Sequence, residues 1–210
     1  MSYRTEPLEA YLEDAAAGRP TPGGGSVSAL AGALGAAMAC MAANFTVDKK
    51  KYKDVWPQVR ELLDQCEAAR SELLDLVDED VAAYAQVSQA LAMPTKTDSD
   101  RKARRAALEE AVKTAMQPPL RAFRACCRVI GTLPELGRHA NPNLISDVGV
   151  AAALSLGGLE GSQINVEVNL AFMKDEDLVS RTRLELERDG EPARAAARKV
   201  LDKIYSRIRK

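Results

Sequence analysis

A chain of 210 residues is long enough for one domain with a core of its own. Its 29 basic and 30 acidic side chains nearly cancel, which argues against a nucleic-acid partner, and its single histidine excludes a metal site built from several imidazoles. Hydrophobic residues reach 46% but aromatics only 4%, so the apolar content is mostly Ala, Leu and Val, and packed helices are expected rather than a sandwich or barrel.

In chain order, a first helix is predicted over 7–17, with Leu8, Tyr11 and Leu12 on one face. A break at 18–22 precedes a small-residue helix over 24–46. Residues 26–46 carry no charge, so a membrane span has to be weighed. Ala and Gly are weakly hydrophobic, however, and Ser26, Ser28 and Asn44 are polar. Small residues recur four apart at Gly32 and Ala36 and at Gly35, Ala39 and Ala43, the spacing of closely approaching helices. A buried helix with no membrane is the reading. A basic loop, 48–53, ends it.

A long amphipathic helix follows over 56–91, then a turn at 93–98. Ser99 is the expected N-cap of a helix over 100–130, which Pro118-Pro119 must break or kink. Residues 131–143, with Pro134 and Pro142, read as irregular. Ser146 or Asp147 opens a helix to about 173, and 164–170 is read as helix despite its Val, Ile and Asn content. Asp175 caps one or two C-terminal helices, broken near Gly190. Residues 1–210 form a single domain. Cys40, Cys66, Cys126 and Cys127 form no C-x-x-C pair, and no signal peptide is recognised, which suits reduced thiols in a cytoplasmic protein.

Four motifs carry chemistry. Gly23-Gly24-Gly25-Ser26 lies at a helix start, where amide hydrogens attract anions; a tight turn into a crowded core is the plainer alternative. Lys49-Lys50-Lys51-Tyr52-Lys53 puts four ammonium groups at the other end of the same helix, suited to a multiply anionic tail or simply to solvent and the helix dipole. Asp78, Glu79 and Asp80 point 100° apart on their helix, and Asp80 shares the side of Val77, Val81 and Tyr84. An inward carboxylate is costly unless it is paired or used. Asn141, Asn143, Ser146 and Asp147 lie in and just after a loop that opens a long helix, as caps or as amides and a fixed carboxylate facing a pocket.

Taken together, TPGGGSVSALAGALGAAMACMAANFT, KKKYKDV, LVDEDVAAYAQV, LAMPTKTDSDRKARRAALEEAVKTAMQPPL and NPNLISDVGVAAALSLGGLEGSQINVEVNL resemble the cyclodeaminase/cyclohydrolase family of folate one-carbon metabolism. The resemblance implies an all-α bundle of long helices, like the C-terminal domain of formiminotransferase-cyclodeaminase. It implies a homodimer and a folate substrate, polyglutamated or not; no further cofactor is expected, and no metal, because the chain has one histidine and no cysteine pair at ligand spacing. It places the substrate on Gly23, Gly24, Gly25, Ser26, Lys49, Lys51, Tyr52, Asn141, Asn143 and Ser146, with Asp147, Asp80 and Lys50 as catalytic candidates. The family usually has glycine where this chain has Asp48.

The reaction this implies is hydrolysis of 5,10-methenyltetrahydrofolate to 10-formyltetrahydrofolate. The alternatives are cyclodeamination of formiminotetrahydrofolate with release of ammonia, or a helical scaffold without chemistry. Water must lose a proton as it adds to the bridge carbon, and a ring nitrogen must gain one as it leaves. With one histidine, a carboxylate is the natural carrier: Asp147 first, with Asp80 as its rival and Lys50 supplying or stabilising charge.

Overall fold

The computed structural model describes residues 2–209, and among them every regular element is helical. The helices are α1 (Leu8–Ala16), α2 (Gly24–Asn44), α3 (Trp56–Leu91), α4 (Asp98–Ala115), α5 (Gln117–His139), α6 (Ile145–Leu170) and α7 (Glu176–Ile208). Short 3-10 turns occupy Lys50–Val55 and Pro142–Leu144. The all-α reading of the composition is thereby met.

Helix α2 is the axis of the bundle. It packs chiefly against α6 on one side and α3 on the other, with α5 touching all three, α7 covering α5 and α6, and α4 lying along α3. The core mixes two kinds of residue. Helices α3 and α5 supply large side chains, among them Leu73, Leu76, Phe123, Ile130 and Leu133, all inaccessible to solvent. Helix α2 supplies Ala and Gly, and close backbone approach replaces side-chain bulk.

That approach is tight. A Cβ on Gly158 of α6 would lie 2.7 Å from the Gly32 amide nitrogen of α2, and one on Gly35 would lie 2.3 Å from the Ser155 hydroxyl. A Cβ on Gly161 would lie 2.3 Å from the Ser28 hydroxyl. By length and composition α2 and the segment Pro142–Leu170 pass as membrane spans, but 61% of the most apolar stretch of α2 and 44% of that of Pro142–Leu170 is buried within the bundle, the small-residue face of α2 being spent on α6.

Several sequence boundaries need correction. Residues 131–139 are not irregular: α5 runs through Pro134 to His139. An interior proline costs about 3 kcal/mol, but Leu133 just before it and Leu136 just after it are fully buried, each worth about 1.5–3 kcal/mol, so packing prevails. The N-cap of α4 is Thr97 rather than Ser99, in a capping box where the Asp100 amide donates to Thr97 Oγ1 at 3.0 Å and the Thr97 amide to Asp100 Oδ2 at 2.9 Å. Helix α7 is unbroken at Gly190, which fits against the Phe123 ring where a Cβ would come within 3.0 Å. In α1 only Tyr11 is buried; Leu8 and Leu12 face solvent. Helix α6 opens at Ile145 after Leu144 rather than at Ser146 or Asp147, and ends at Leu170 rather than near 173; the assignments of α3 over 56–91 and of a helical 164–170 stand.

Gly158→Ala should cost about 1–3 kcal/mol by forcing α2 and α6 apart. Gly131→Ala, in α5 with nothing within 4 Å of its Cβ, should instead stabilise by up to about 1 kcal/mol. Urea midpoints at unchanged slope measure both, and equal effects of the two substitutions would refute the crossing as the packing constraint.

Candidate functional site

At the N-terminal end of α2 a cavity of about 210 Å³ is lined by Gly23, Gly24 and Gly25, by Asp80 and Tyr84 of α3, and by Asn165 and Asn169 of α6, together with Thr21 and Ala115. The glycines create it. A Cβ on Gly25 would fall 2.1 Å from the Asp80 carboxylate, and one on Gly24 would fall 3.0 Å from the Asn165 amide nitrogen. A Cβ on Gly23 would meet only the Pro20 carbonyl at 3.5 Å, an ordinary contact. A side chain at Gly25 would displace the Asp80 carboxylate, one at Gly24 would press on the Asn165 amide, and one at Gly23 would meet no close neighbour.

Asp80 is the only one of the three consecutive acids to face this cavity. Asp78 ties down the N-terminus, accepting from the Tyr3 amide at 2.8 Å and the Ser2 hydroxyl at 2.5 Å. Glu79 pairs with Arg121 at 2.5 Å. Asp80 has no cation partner among the described residues and instead accepts the Ser26 amide hydrogen at 2.9 Å. Burial pushes its carboxyl from the ordinary aspartate value up to about 6, and the Ser26 hydrogen bond pulls the other way. Such a group is ionised at neutral pH yet close enough to its pKa to take and return a proton.

Ser26 itself is fully buried, and its hydroxyl is committed: it donates to the Val77 carbonyl at 2.9 Å and accepts from the Tyr11 hydroxyl at 3.0 Å. Its contribution is the backbone amide that holds Asp80. In the first turn of α2 the Val27 amide bonds back to the Gly23 carbonyl, leaving the Gly24 and Gly25 amides, among the described residues, directed to the helix entrance.

Asn165 and Asn169, which the sequence reading did not select, complete the wall. Each side-chain NH₂ donates to a carbonyl one turn back, at 2.8 Å to Gly161 and to Asn165 respectively, which holds the amides in place. The available signal was two asparagines four apart in an apolar helix stretch. Tyr84, one turn after Asp80, was noted only as sharing its face.

The remaining candidates lie elsewhere. Lys49, Lys50 and Lys51 sit exposed beyond the C-terminal end of α2, with the Lys51 ammonium 5.5 Å from the Tyr52 ring centroid. The segment with Asn141, Asn143, Ser146 and Asp147 docks at the same end: the Asn141 amide donates to Thr46 Oγ1 at 2.8 Å. Asn141 Oδ1 accepts the Asn143 amide at 3.1 Å, and Asp147, in the first turn of α6, receives only a 3.5 Å contact from Ser146. The structure thus divides the candidates into an acidic end with the glycines and a basic end with the asparagine loop. The 21 residues of α2 separate them by about 30 Å, far beyond the reach of direct proton transfer.

Asp48, the residue standing where glycine is usual, has φ of 61°, the left-handed region that glycine enters freely and aspartate tolerates better than most residues. Its carboxylate pairs with Arg60 at 3.0 Å. The turn into the lysines is therefore kept. Among the described residues no group of three His, Cys, Asp or Glu side chains is placed to hold a metal ion.

Comparison with known proteins bears on this arrangement. Residues 7–188 match the family described as formiminotransferase-cyclodeaminase. The chain is 35% identical to the methenyltetrahydrofolate cyclohydrolase of Methylorubrum extorquens over 203 residues, covering 97% of this chain and 98% of that one. It is 32% identical to the rat formimidoyltransferase-cyclodeaminase over 95% of its length, spanning 37% of that longer protein. The crystal structure of formiminotetrahydrofolate cyclodeaminase from Thermotoga maritima superposes with a TM-score of 0.82 at 30% identity, covering 96% of this chain and 98% of that one.

Because the native state keeps the Asp80 proton to higher pH than the unfolded chain, stability should fall as pH rises from about 4 to about 6 and then level off. Asp80→Asn should remove this dependence and raise stability above pH 6 by about 2–3 kcal/mol. Denaturation curves of the two proteins from pH 4 to 8 measure it; parallel curves across that range would show that Asp80 carries no burial penalty.

Proposed function

The chain belongs to the formiminotransferase-cyclodeaminase family and is a folate one-carbon enzyme, and on that premise we propose that it hydrolyses 5,10-methenyltetrahydrofolate to 10-formyltetrahydrofolate. The end-to-end likeness to a cyclohydrolase of nearly the same length favours this reaction. Cyclodeamination of formiminotetrahydrofolate is the second reading, supported by the name of the superposing Thermotoga structure. Both pass through a tetrahedral carbon between N5 and N10 of the folate.

The observation that carries the mechanism is a half-buried carboxylate, Asp80, held by one amide in a cavity and shifted toward neutrality. In the proposed step Asp80 takes a proton from the water that adds to the cationic bridge carbon. The resulting carbinol collapses to the formyl group as the carbon–N5 bond breaks. Asp80 returns its proton to N5, and the second water proton leaves to solvent, so one proton is released per turnover. The ionised carboxylate also stabilises the cationic substrate. Asn165, Asn169 and the amides at Gly24 and Gly25 are suited to bonding the pterin edge. Within one protomer this reading prefers Asp80 to Asp147 and Lys50, which lie at the other end of α2.

The same reading includes a homodimer. Val27, Leu34 and Met41, seven residues apart, form an outward stripe along uncharged α2, and Val150, Ile164 and Val168 are exposed on α6, which packs beside it. Two copies paired antiparallel across this face would bring the lysine-bearing end of one α2 to the acidic end of the other. The lysines are then available to the anionic tail of the folate, and a site split in one protomer becomes whole.

Purified protein offered methenyl- and formimino-tetrahydrofolate should turn over the first faster. Its kcat should rise with pH through an apparent pKa near 6, and Asp80→Asn should cut kcat by roughly 100-fold or more with KM little changed. A faster formimino reaction would assign the second reading, and near-normal turnover of Asp80→Asn would remove Asp80 from the chemistry. Leu34→Asp should give a protein of half the solution mass, with unchanged far-ultraviolet circular dichroism and little activity. Unchanged mass and activity would overturn dimerisation through this face.

A further inference from the structure

A second cavity, of about 260 Å³, opens between the C-terminal halves of α5 and α7 and the start of α6. It lies about 26 Å along α6 from the Asp80 cavity, counting from Val148 to Asn165. Ile145 and Val148 line it, whereas Ser146 and Asp147 between them do not. We propose that this cavity is a binding site for a small amphipathic carboxylate, with its apolar body inside and its anionic group at the mouth.

The lining has the matching polarity. Leu133, Val148, Val200 and Ile204 make an apolar floor, and Arg138, Lys199 and Lys203 bring three cations, with no carboxylate among the lining residues. Arg138 is steadied by Glu135 at 2.5 Å. Lys199 and Lys203 are one helical turn apart on α7, a like-charge spacing that weakens a helix unless an anion lies between them.

The wall is built from residues that a helix tolerates poorly. Gly137 and Pro134, three apart on one face of α5, both line the cavity. At Gly137 a Cβ would meet only Val148 at 3.7 Å and Ile145 at 4.0 Å, ordinary contacts, so no neighbour requires glycine there. Alanine would favour the helix. What glycine does at this position is keep the floor open.

Size narrows the ligand. An apolar cavity of about 150 Å³ accepts benzene, and drug-sized ligands need about 300 Å³ or more, so 260 Å³ suits a substituted ring or a short alkyl chain. The cavity is distinct from the one at Asp80, with which it shares no lining residue.

Octanoate, titrated into the full chain against the fluorescence of bound 8-anilinonaphthalene-1-sulfonate, tests this without folate turnover. Octanoate should displace the dye one to one, and neutral 1-octanol should do so roughly tenfold less well or worse. Gly137→Met should abolish displacement with thermal stability equal or raised. Lys199→Gln with Lys203→Gln should weaken octanoate by roughly tenfold. No displacement by millimolar octanoate, octanol as effective as octanoate, or undiminished binding in the double lysine variant would each overturn the proposal.

Discussion

The crossing of α2 and α6 sets the terms for the rest of the molecule. Where Gly158 meets the backbone of Gly32, and Gly35 meets Ser155, the two helices are closer than any Cβ would permit. Such contact gives α2 little side-chain burial to offer, so the large residues of α3 and α5 must enclose it. The same approach continues to the N-terminal end of α2, where Gly161 sits against Ser28 and Gly24 against Asn165. The cavity wall is thus the last turn of a packing scheme that runs the length of the helix, and its shape is inherited from the core.

Asp80 gains its chemistry from that scheme. Gly25 permits the carboxylate to lie where a Cβ would otherwise be, and the Ser26 amide supplies its one hydrogen bond. Ser26 can do so because its hydroxyl is already engaged by Val77 and Tyr11, which fixes the first turn of α2. A helix N-terminus favours the ionised form and burial opposes it. Burial is the larger effect, so the group is held near neutrality instead of in the ordinary aspartate range. Asp147, in the first turn of α6, is held only by its weak contact with Ser146.

The division of polar motifs between the two ends of α2 is the feature with most bearing on function. The glycine turn and the lysine run adjoin the same helix, and the helix itself keeps them apart. Asn141 reinforces the division, because its hydrogen bond to Thr46 ties the asparagine loop to the lysine end. A substrate with a cationic reacting centre and an anionic tail has complementary charges at both ends, and an outward apolar stripe connects them.

The sequence by itself determined what depends on neighbours in the chain. The period of apolar residues set α3 at 56–91, the 100° turn per residue separated Asp80 from Asp78 and Glu79, and the cap at Asp175 was legible from residue type alone. At position 48 the sequence showed only the departure from glycine; that aspartate keeps the turn there, at a positive φ, is a finding of the structure. Tertiary structure alone decided what depends on distant residues. Helices α5 and α7 run through Pro134 and Gly190 because Leu133, Leu136 and Phe123 gain more from burial than the helix loses. Asn165 and Asn169 became site residues only when α6 was laid against the start of α2. The pairings that define the two ends, Ser26 with Asp80 and Thr46 with Asn141, span 54 and 95 residues. Local periodicity carries no information across such separations, because which residues meet is set by how whole helices pack.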